Sequence, residues 1–394
     1  MASRAPLTPD AAEPFLPTEG TEVLENLAFD LAREASELSG RLHPVVRQSV
    51  AELVRSMNCY YSNLIEGHNT HPRDIDRALA EDYESDPQRR DLQREARAHI
   101  EVQRLIDAQA TAPHPPASRQ FIEWVHREFC VRLPDSLLVA TNPDTQEQLP
   151  VVPGALRTRE VVVGRHVAPP AVGLPAFLAR FEQAYDASRL SKPRQAIAIA
   201  AAHHRLLWIH PFLDGNGRVT RLMSHAMLRD LGVGSALWSV SRGLARRSTD
   251  YKQLLMAADE ARRGDLDGRG ALSQSALVAF CRFFLECCLD QVRFMRELLE
   301  PAELQRRVER YARDEEDAGR LPRRSLPVLR EALIAGELDR GRVPDLLDVS
   351  ERSARRVIAE LVAQRLLVSD SHKAPLRLGF PSDVVERWFP RLYP

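Results

Sequence analysis

The sequence predicts an all-α protein, and three observations support that class. Apolar residues recur at three- and four-residue steps through most of the chain, which is the period of an amphipathic helix. Runs rich in β-branched residues are short, and the clearest of them covers only residues 160–164. With 394 residues, 44% of them hydrophobic and 28% charged, the chain has the composition of a globular protein with more than one domain and a sizeable core.

Composition also excludes several classes of protein. The formal net charge of −1 gives no general attraction to nucleic acid or to acidic membranes. No apolar run approaches the ~20 residues that span a bilayer, and the first residues lack the basic-then-apolar pattern of a signal peptide. We therefore expect a soluble, cytoplasmic protein with no membrane partner. The five cysteines show no metal-ligand spacing, which favours buried, reduced thiols at Cys59, Cys130, Cys281, Cys287 and Cys288.

The first part of the chain predicts a tail followed by a helical region. Residues 1–20 are rich in Pro, Ala and acidic side chains, so we expect a disordered tail. Apolar residues at helical spacing then predict an N-terminal helical region over residues 21–116. Pro44 suits the first turn of its second helix, and Gly67 marks the end of that helix. The expected helices cover residues 21–38, 44–66, 72–79 and 88–106.

Residues 117–300 are expected to form a helical core with one irregular insertion. Pro, Thr, Asn, Asp and Gly concentrate between 134 and 154, and the β-branched run after them predicts a short strand. Ser248 begins a Ser-Thr-Asp sequence that is typical of a helix N-cap. The other expected helices of this core cover residues 118–132, 174–188, 195–209, 222–231 and 276–299.

The pattern restarts in residues 320–394 as a separate unit. Helical patterns at 326–334, 343–347 and 351–361 precede two short strands at 366–368 and 376–378, which predicts a winged helix-turn-helix. The third helix displays a basic face made of Arg352, Arg355 and Arg356, as a recognition helix does. Because acidic residues lie nearby, the unit has little excess positive charge, and a protein-docking or dimer-supporting role is favoured over DNA binding. These acidic residues are Glu331, Glu337, Asp339, Asp345, Asp348, Glu351 and Glu360.

The stretch from His210 to Arg221 carries the residues for a phosphate site. Gly215 and Gly217 allow a tight turn and let a ligand approach the backbone amides closely. The start of the following helix offers unpaired N–H groups and the positive end of the helix dipole, which favour an anion. Arg218 lies three residues before Arg221, so both side chains lie on neighbouring parts of one helix face and can contact phosphate oxygens.

Two further side chains of this stretch suit phosphate chemistry. Asp214 offers a hard oxygen ligand, which suits a magnesium ion that keeps most of its waters. His210 opens the loop, and a neutral imidazole accepts a proton at neutral pH. Phe212 is expected to anchor the loop in the core. The stretch therefore predicts a phosphate site with a metal ligand and a base.

The residues HPFLDGNGR at 210–218, followed after two residues by Arg221, resemble the signature HxFx(D/E)GNGRxxR of the Fic (Fic/DOC, Fido-domain) family. The resemblance implies a Fic-type helical core and a protein adenylyltransferase, which moves AMP from ATP to a Ser, Thr or Tyr hydroxyl of a target protein and of itself. It implies that His210 is the general base and that Asp214 holds Mg²⁺. The phosphate ligands that it implies are Gly215, Asn216, Gly217, Arg218 and Arg221, with the Asn216 side chain as an added donor.

One position in this signature separates two kinds of transfer. Relatives that transfer the terminal phosphate carry Lys in place of the second Gly of the motif. This chain has Gly217 there, so the resemblance favours nucleotidyl transfer over kinase action.

Residues 62–67, with the sequence SNLIEG, match the (S/T)xxxE(G/N) motif that inhibits some members of this family. Ser62 and Glu66 are four apart and therefore share one helix face. The resemblance implies that Glu66 pairs with Arg221, which removes a phosphate partner and repels the nucleotide. The alternative is a solvated Glu near a helix end. Relatives with this Glu also remove AMP, and the sequence leaves that activity open.

The segment between residues 153 and 170 resembles the flap of this family, a small hairpin beside the site. In the family, the flap aligns the target segment by adding it as an extra strand. Because backbone pairing tolerates many side chains, the flap does not identify the target. The alternative is an ordinary surface hairpin. The resemblance assigns target docking to Gly154, Arg157, Val161, Val162 and Val163.

The nucleotide base is less well specified. Members of the family often carry a Tyr pair, and an Asn eight residues after the first Tyr, at the adenine pocket. Here Tyr251 is followed by Lys252, and Asp259 takes the later place. Tyr251 is therefore an expected nucleotide contact, while the preference for ATP is left open. The two histidines at 203 and 204 are expected to be core residues rather than metal ligands.

Two other functions stay open at this point. The first is a nucleotide-sensing regulator that binds DNA through the winged helix. The second is transfer of another nucleotide or phosphate-bearing group. ATP and Mg²⁺ are the implied substrate and metal, and a target protein and a second copy of the chain are the expected partners.

Overall fold

The computed structural model describes residues 8–108, 114–142 and 145–394, and these ranges are predominantly helical, as the sequence predicts. Within them, no helix is both long and apolar enough to cross a bilayer. The helices are α1 (Glu22–Gly40), α2 (Pro44–Ile65), α3 (Pro72–Leu79), α4 (Pro87–Asp107), α5 (Arg119–Cys130), α6 (Leu174–Ala184), α7 (Lys192–Ile209), α8 (Asn216–Leu231), α9 (Val240–Arg246), α10 (Ser248–Ala258), α11 (Gln274–Leu298), α12 (Pro301–Asp317), α13 (Ser325–Ala335), α14 (Val343–Leu347), α15 (Glu351–Ala363) and α16 (Ser382–Trp388).

Short antiparallel strand pairs interrupt the helices. The expected strand near residues 160–164 is present as β3, and its partner β4 follows a two-residue turn. The pair β1–β2 was not expected, because its residues lie in a stretch rich in turn-forming side chains. The strands are β1 (Val139–Thr141), β2 (Gln148–Pro150), β3 (Val162–Val163), β4 (His166–Val167), β5 (Leu367–Val368) and β6 (Arg377–Leu378).

The described chain divides into two compact units. In the first unit, α4 packs against α3, α5 and α8, so α3 and α4 of the expected N-terminal region share a unit with helices of the expected core. The end of α1 and most of α2 belong to the second unit. The first unit takes in the described parts of Met1–Glu34, Asn58–Ser235 and Ser239–Gln291, and the second takes in Ala35–Met57, Ala236–Trp238 and Val292–Pro394.

The expectation of a disordered tail over residues 1–20 is wrong for its described part. Residues 8–20 include a short 3-10 helix, and the Phe15 side chain is 1% exposed. The hydroxyl of Tyr185 donates to the carbonyl oxygen of Phe15 at 2.7 Å, and Arg205 donates to the carbonyl oxygen of Pro14 at 2.8 Å. The buried Phe15 ring and the hydrogen bonds to these two carbonyl oxygens therefore hold residues 8–20 against the rest of the first unit, although their composition suggests disorder. Residues 1–7 of the expected tail lie outside the described ranges.

Helices α7 and α8 form the centre of the first unit. The alanines of α7 are buried, which lets α8 pack closely against it. The chain leaves α7 at His210, which takes the left-handed conformation with φ 51°, and enters α8 through Gly215, with φ 80°. The connecting loop is therefore short, and both of its ends are fixed by buried helices.

The C-terminal residues follow the expected order of three helices and a hairpin. Helices α13, α14 and α15 precede the antiparallel pair β5–β6, in which Leu367 lies opposite Leu378. The sequence did not predict α12 and α16, which pack together through the rings of Tyr311 and Trp388 at 5.5 Å. The element order is that of a winged helix-turn-helix, and its function stays a prediction.

Candidate active site

The loop between α7 and α8 is closed by the side chain of Asn216. The backbone N–H of Phe212 donates to Asn216 Oδ1 at 3.0 Å, and Asn216 Nδ2 donates to the carbonyl oxygen of Phe212 at 2.9 Å. Asn216 is 4% exposed. The structure therefore gives this side chain a loop-shaping position, and its expected role as an added phosphate donor stays a prediction. The expectation that Phe212 anchors the loop is confirmed, because its ring is fully buried.

His126 on α5 packs against the loop between α7 and α8. Its ring stacks on the ring of Phe212, with centroids 3.9 Å apart and an interplanar angle of 1°. Burial lowers the pKa of His126 to about 4, so the imidazole is neutral. Its Nδ1 accepts a hydrogen bond from the backbone N–H of Gly154 at 2.8 Å. A Cβ at Gly215 would make only ordinary van der Waals contact with this ring, so the φ of +80° is the feature that favours glycine at this position.

His210 is held as a neutral imidazole with a defined tautomer. Its Nδ1 lies 3.3 Å from the carbonyl oxygen of Leu207, and because a carbonyl only accepts, Nδ1 carries the proton. Nε2 is then the ring atom that can accept a proton. Burial is the main cause that lowers the pKa of His210 to about 4, and the charge of Arg157 lowers it further. The imidazole is therefore in its basic form at neutral pH.

Arg157 connects the segment before β3 to the loop between α7 and α8. Its Nε donates to the carbonyl oxygen of His210 at 2.8 Å, and its backbone N–H donates to the carbonyl oxygen of Pro211 at 2.9 Å. Its two other guanidinium nitrogens donate to the carbonyl oxygens of Arg159 and Pro169. The side chain is buried, so the Arg157 guanidinium supports the flap and offers no surface to a target, and the docking role of the flap backbone stays a prediction.

Gly154 is also placed differently from the expectation. Its N–H is bound to His126, and a Cβ added there would meet the Arg127 side chain at 3.0 Å. The φ of +77° adds a second reason for glycine at this position. Gly154 therefore anchors the base of the flap to α5 and does not offer a docking surface.

Of the three valines in the flap, Val162 and Val163 are exposed, whereas Val161 is partly buried. Val162 and Val163 in β3 are 64% and 46% exposed, and Val161 precedes them. Among the described residues, β3 pairs only with β4, so its other edge is unpaired. His166 in β4 makes a hydrogen bond of 2.7 Å to the carbonyl oxygen of Trp208 in α7. The docking role of these valines stays a prediction.

Arg221 is engaged by the end of α2. Its Nε donates to Ser62 Oγ at 2.8 Å, and its Nη2 donates to the Ser62 carbonyl oxygen at 3.2 Å. Nη2 also forms an ion pair with Glu66 Oε1. The predicted contact between Glu66 and Arg221 is therefore present in the structure. Arg221 is buried, whereas the Glu66 side chain is 32% exposed, so this ion pair lies at the edge of the buried region.

The Glu66 carboxylate also lies directly over Gly217. A Cβ at Gly217 would collide with Glu66 Oε1, so the absence of a side chain at Gly217 leaves room for the carboxylate. Burial alone would raise the pKa of Glu66, but Arg221, Arg218 and His68 hold that pKa below its ordinary value. The carboxylate is therefore ionised at neutral pH and covers part of the surface where a phosphate would bind.

Arg218 has partners that the sequence did not predict. Its Nη2 forms an ion pair with Glu95 on α4, and its guanidinium lies 5.5 Å from the centre of the Phe129 ring. His68 Nδ1 lies 2.7 Å from the second oxygen of Glu95. The Glu95 hydrogen bond raises the pKa of His68. The one available sequence signal was the four-residue spacing of Glu95, His99 and Gln103, which sets polar groups along a buried face of α4.

Asp214 lies at the solvent side of the loop. Its Oδ1 accepts a hydrogen bond of 2.6 Å from the N–H of Gly215, and the residue is exposed. Among the described residues, no group of three or more His, Cys, Asp or Glu side chains is placed to hold a metal ion. One exposed carboxylate fits a magnesium ion that takes its other ligands from phosphate and water. Asp214 is therefore suited to a metal that arrives with a nucleotide.

Tyr251 lies in the interior and not at an open pocket, which corrects its expected position. It is 3% exposed, its hydroxyl is 2.8 Å from His203 Nε2, and it also interacts with the Arg221 guanidinium. His203 in turn contacts Ser224 at 2.9 Å, as expected for a core histidine. Tyr251 therefore packs in the core, where its hydroxyl is held by His203.

Asp259, which stands where the family often has Asn, is paired with a buried histidine. One of its carboxylate oxygens lies 3.1 Å from His204 Nε2. Burial is the main cause that lowers the pKa of His204, and Asp259 opposes the shift. His204 Nδ1 lies 2.7 Å from Arg205 Nη1, and Arg205 in turn donates to the carbonyl oxygen of Pro14 in the N-terminal segment. His204 is thus a core residue, as expected.

Residues 116–228 match the model of the Fic/DOC family, so the chain carries a Fic/DOC family domain. The chain is 36% identical over 83 residues to "Protein adenylyltransferase Fic" of Drosophila erecta, and 37% identical over 83 residues to the same protein of Drosophila ananassae. Each match covers 21% of this chain and 17% of the relative, so the similarity spans about a sixth of these curated relatives.

Solved structures share the fold over a larger part of the chain. A Fic family protein from Desulfovibrio desulfuricans has a TM-score of 0.54 at 18% identity, and the match covers 92% of this chain and 98% of that one. Fic-1 from C. elegans has a TM-score of 0.53 at 16% identity, covering 72% and 74% of the two chains. At these identities the likeness establishes the fold alone, and the fold is the Fic-type helical fold that the signature implies.

Proposed function

We propose that this protein transfers AMP from ATP to a Ser, Thr or Tyr hydroxyl of a target protein and of itself, and that Glu66 inhibits it at rest. One observation carries the proposal. The Glu66 carboxylate occupies Arg221 and the surface of Gly217, while the Nε2 of His210 is available as a proton acceptor at the other end of the same loop. The names of the Drosophila relatives support the same activity.

The residues of the site suit each part of the reaction. A hydroxyl oxygen of the target attacks the α-phosphorus in line, the bond to the β-phosphate oxygen breaks, and pyrophosphate leaves with the negative charge. His210 Nε2 takes the hydroxyl proton as the new P–O bond forms. The N–H groups at the start of α8, together with Arg218 and Arg221, neutralise phosphate charge. Asp214 would hold Mg²⁺, which supplies further charge neutralisation between phosphates.

Glu66 blocks this arrangement through charge and space. A triphosphate and the Glu66 carboxylate are both anions that need the same N–H groups of Arg221, so they exclude one another. Because Glu66 is one-third exposed and near the end of α2, it can leave without opening the core. Release of this carboxylate is therefore the step that we expect to activate the protein.

Two isotopic labels test the activity. The full chain with Glu66→Gly is incubated with ATP labelled at the α-phosphate and, separately, at the γ-phosphate. Transfer of AMP labels the protein from the first only, whereas kinase action labels it from the second only. Glu66→Gly should label itself at least ~10-fold more strongly than the wild type, the expected scale for a charge-assisted contact. The same variant carrying His210→Ala is the negative control, and equal labelling of wild type and Glu66→Gly would contradict inhibition by Glu66.

A further inference from the structure

The two arginines of the phosphate site are held in different ways. Arg221 uses both Nε and Nη2 for Ser62 and Glu66, so most of its donors are occupied at rest. The contacts of Arg218 with Glu95 and His68 use Nη2 alone. Its Nε is buried and, within the described residues, has no hydrogen-bond partner. Arg218 therefore keeps donors for a ligand, whereas Arg221 is largely occupied.

Glu95 is bound in a way that suits a permanent partner. It is 1% exposed, and each carboxylate oxygen has its own contact, Oε1 with Arg218 and Oε2 with His68. Removing either member of a buried ion pair leaves the other charge uncompensated, which is strongly unfavourable. Glu95 also lies in the middle of α4, so it cannot swing away as a residue at a helix end can. We therefore expect the Glu95–Arg218 contact to persist when a nucleotide binds.

Phe129 contacts the Arg218 guanidinium on a different side from Glu95. The ring lies 5.5 Å from the guanidinium carbon, at a distance that suits a cation–π interaction. A carboxylate at one edge and an aromatic ring against one face together restrict both the position and the rotation of the group. Fixed donors bind an oxyanion with less loss of side-chain entropy than mobile ones.

From this geometry we propose that Glu95 is a positioning residue for nucleotide binding, because it holds Arg218 through Nη2 and leaves the other N–H groups of the guanidinium for a phosphate. The proposal rests on the proposed function. It gives the two carboxylates near the loop opposite roles: Glu66 competes with the nucleotide for Arg221, and Glu95 prepares Arg218 to receive it. Substitution of the two residues should therefore change nucleotide affinity in opposite directions.

Calorimetric titration of the full chain with MgATP tests this prediction. With Glu66→Gly as the reference, adding Glu95→Gln should raise the Kd for ATP about 10-fold or more, the scale of a lost charge-assisted contact to phosphate. Adenosine has no phosphate, so its affinity, measured by competition, should change by less than about twofold. A general loss of structure would instead weaken both ligands equally, and that result would overturn a positioning role.

Controls separate this inference from the proposed function. Glu101→Gln makes the same change on the same helix, at a carboxylate that is 32% exposed and paired with Arg97, and it should leave ATP affinity unchanged. Should Glu95→Gln fail to fold in thermal melting, His68→Ala removes the second partner of Glu95 and should weaken ATP about threefold or more. If the Glu66→Gly reference binds ATP and the folded variant with Glu95→Gln or His68→Ala binds it equally well or more tightly, the positioning role of Glu95 is overturned. Failure of the Glu66→Gly reference to bind ATP would instead defeat the proposed function.

Discussion

The guanidinium of Arg157 donates through Nε to the carbonyl oxygen of His210 at 2.8 Å, so a partly buried hydrogen bond joins the flap segment to the loop between α7 and α8. The carbonyl belongs to a residue in the left-handed conformation, which an L-residue other than glycine adopts only when its surroundings hold it there. Arg157 supplies that support. The flap therefore contributes to the position of His210, the proposed general base, as well as to the expected docking edge.

Arg157→Lys should reduce AMP transfer in the Glu66→Gly background. Lysine keeps the charge but not the planar fork that reaches three carbonyl oxygens. We expect a loss of about 1–3 kcal/mol in the free energy of unfolding from the unsatisfied carbonyls, and a fall of at least ~10-fold in transfer rate. Chemical denaturation and single-turnover labelling measure the two effects. Arg159→Lys, at a side chain that is 63% exposed, is the matched control and should change neither.

His210→Ala should abolish AMP transfer without unfolding the protein. Loss of a positioned general base costs about 10²- to 10⁴-fold in rate. An unchanged thermal melt would show that the fold survives, because the imidazole makes only one hydrogen bond with the chain among the described residues. Labelling at the rate of the unsubstituted protein would exclude His210 as the base.

The pH dependence of transfer should follow the lowered pKa of His210, about 4. The neutral form is the proton acceptor, and a lowered pKa means that this form is lost only as the pH falls through about 4. We expect the rate of the Glu66→Gly protein to be flat from about pH 6 to about pH 8. Initial rates across this range measure it. An inflection near pH 6.5, the ordinary value of histidine, would contradict the burial argument.

Phe15→Ala should destabilise the first unit. The ring is buried, and the Arg180 guanidinium lies 5.0 Å from its centre. Truncation of a buried Phe costs about 3–5 kcal/mol in the free energy of unfolding. Urea unfolding measures the loss, and Glu19→Ala, at an exposed position of the same segment, should change it by less than about 0.5 kcal/mol. Equal stability of the two variants would mean that the segment is not docked in solution.

The basic face of α15 should support protein contacts and not specific DNA binding. Arg352 and Arg356 are exposed, but Arg355 is paired with Glu351. We expect a gel shift at about 0.15 M salt to show no retention of one DNA sequence over competitor, because so few basic groups release few counterions. Arg352→Glu should leave self-labelling of the Glu66→Gly protein unchanged. Sequence-specific retention that this substitution removes would favour the DNA-binding alternative.

The parts that the sequence predicted well are those whose residues are neighbours along the chain. The stretch from His210 to Arg221 is contiguous, so its glycines, arginines and histidine can be recognised from residue type and spacing alone. Helical periodicity gave α3 and α14 with the bounds that the structure has. Docking of Phe15 was missed because one aromatic residue in a segment rich in Pro and Ala carries no periodic signal.

Ser62 and Glu66 were assigned to Arg221 by resemblance, and their spacing fixed only that they share a face of α2. The sequence alone thus determined the helical class and indicated which residues of the stretch suit phosphate binding and which pair could inhibit it. The tertiary structure decided that Glu95, His68 and Phe129 surround Arg218, and that Arg157 points inward to His210. Such contacts join residues from distant parts of the chain, and their distances depend on how helices pack, which local periodicity does not encode.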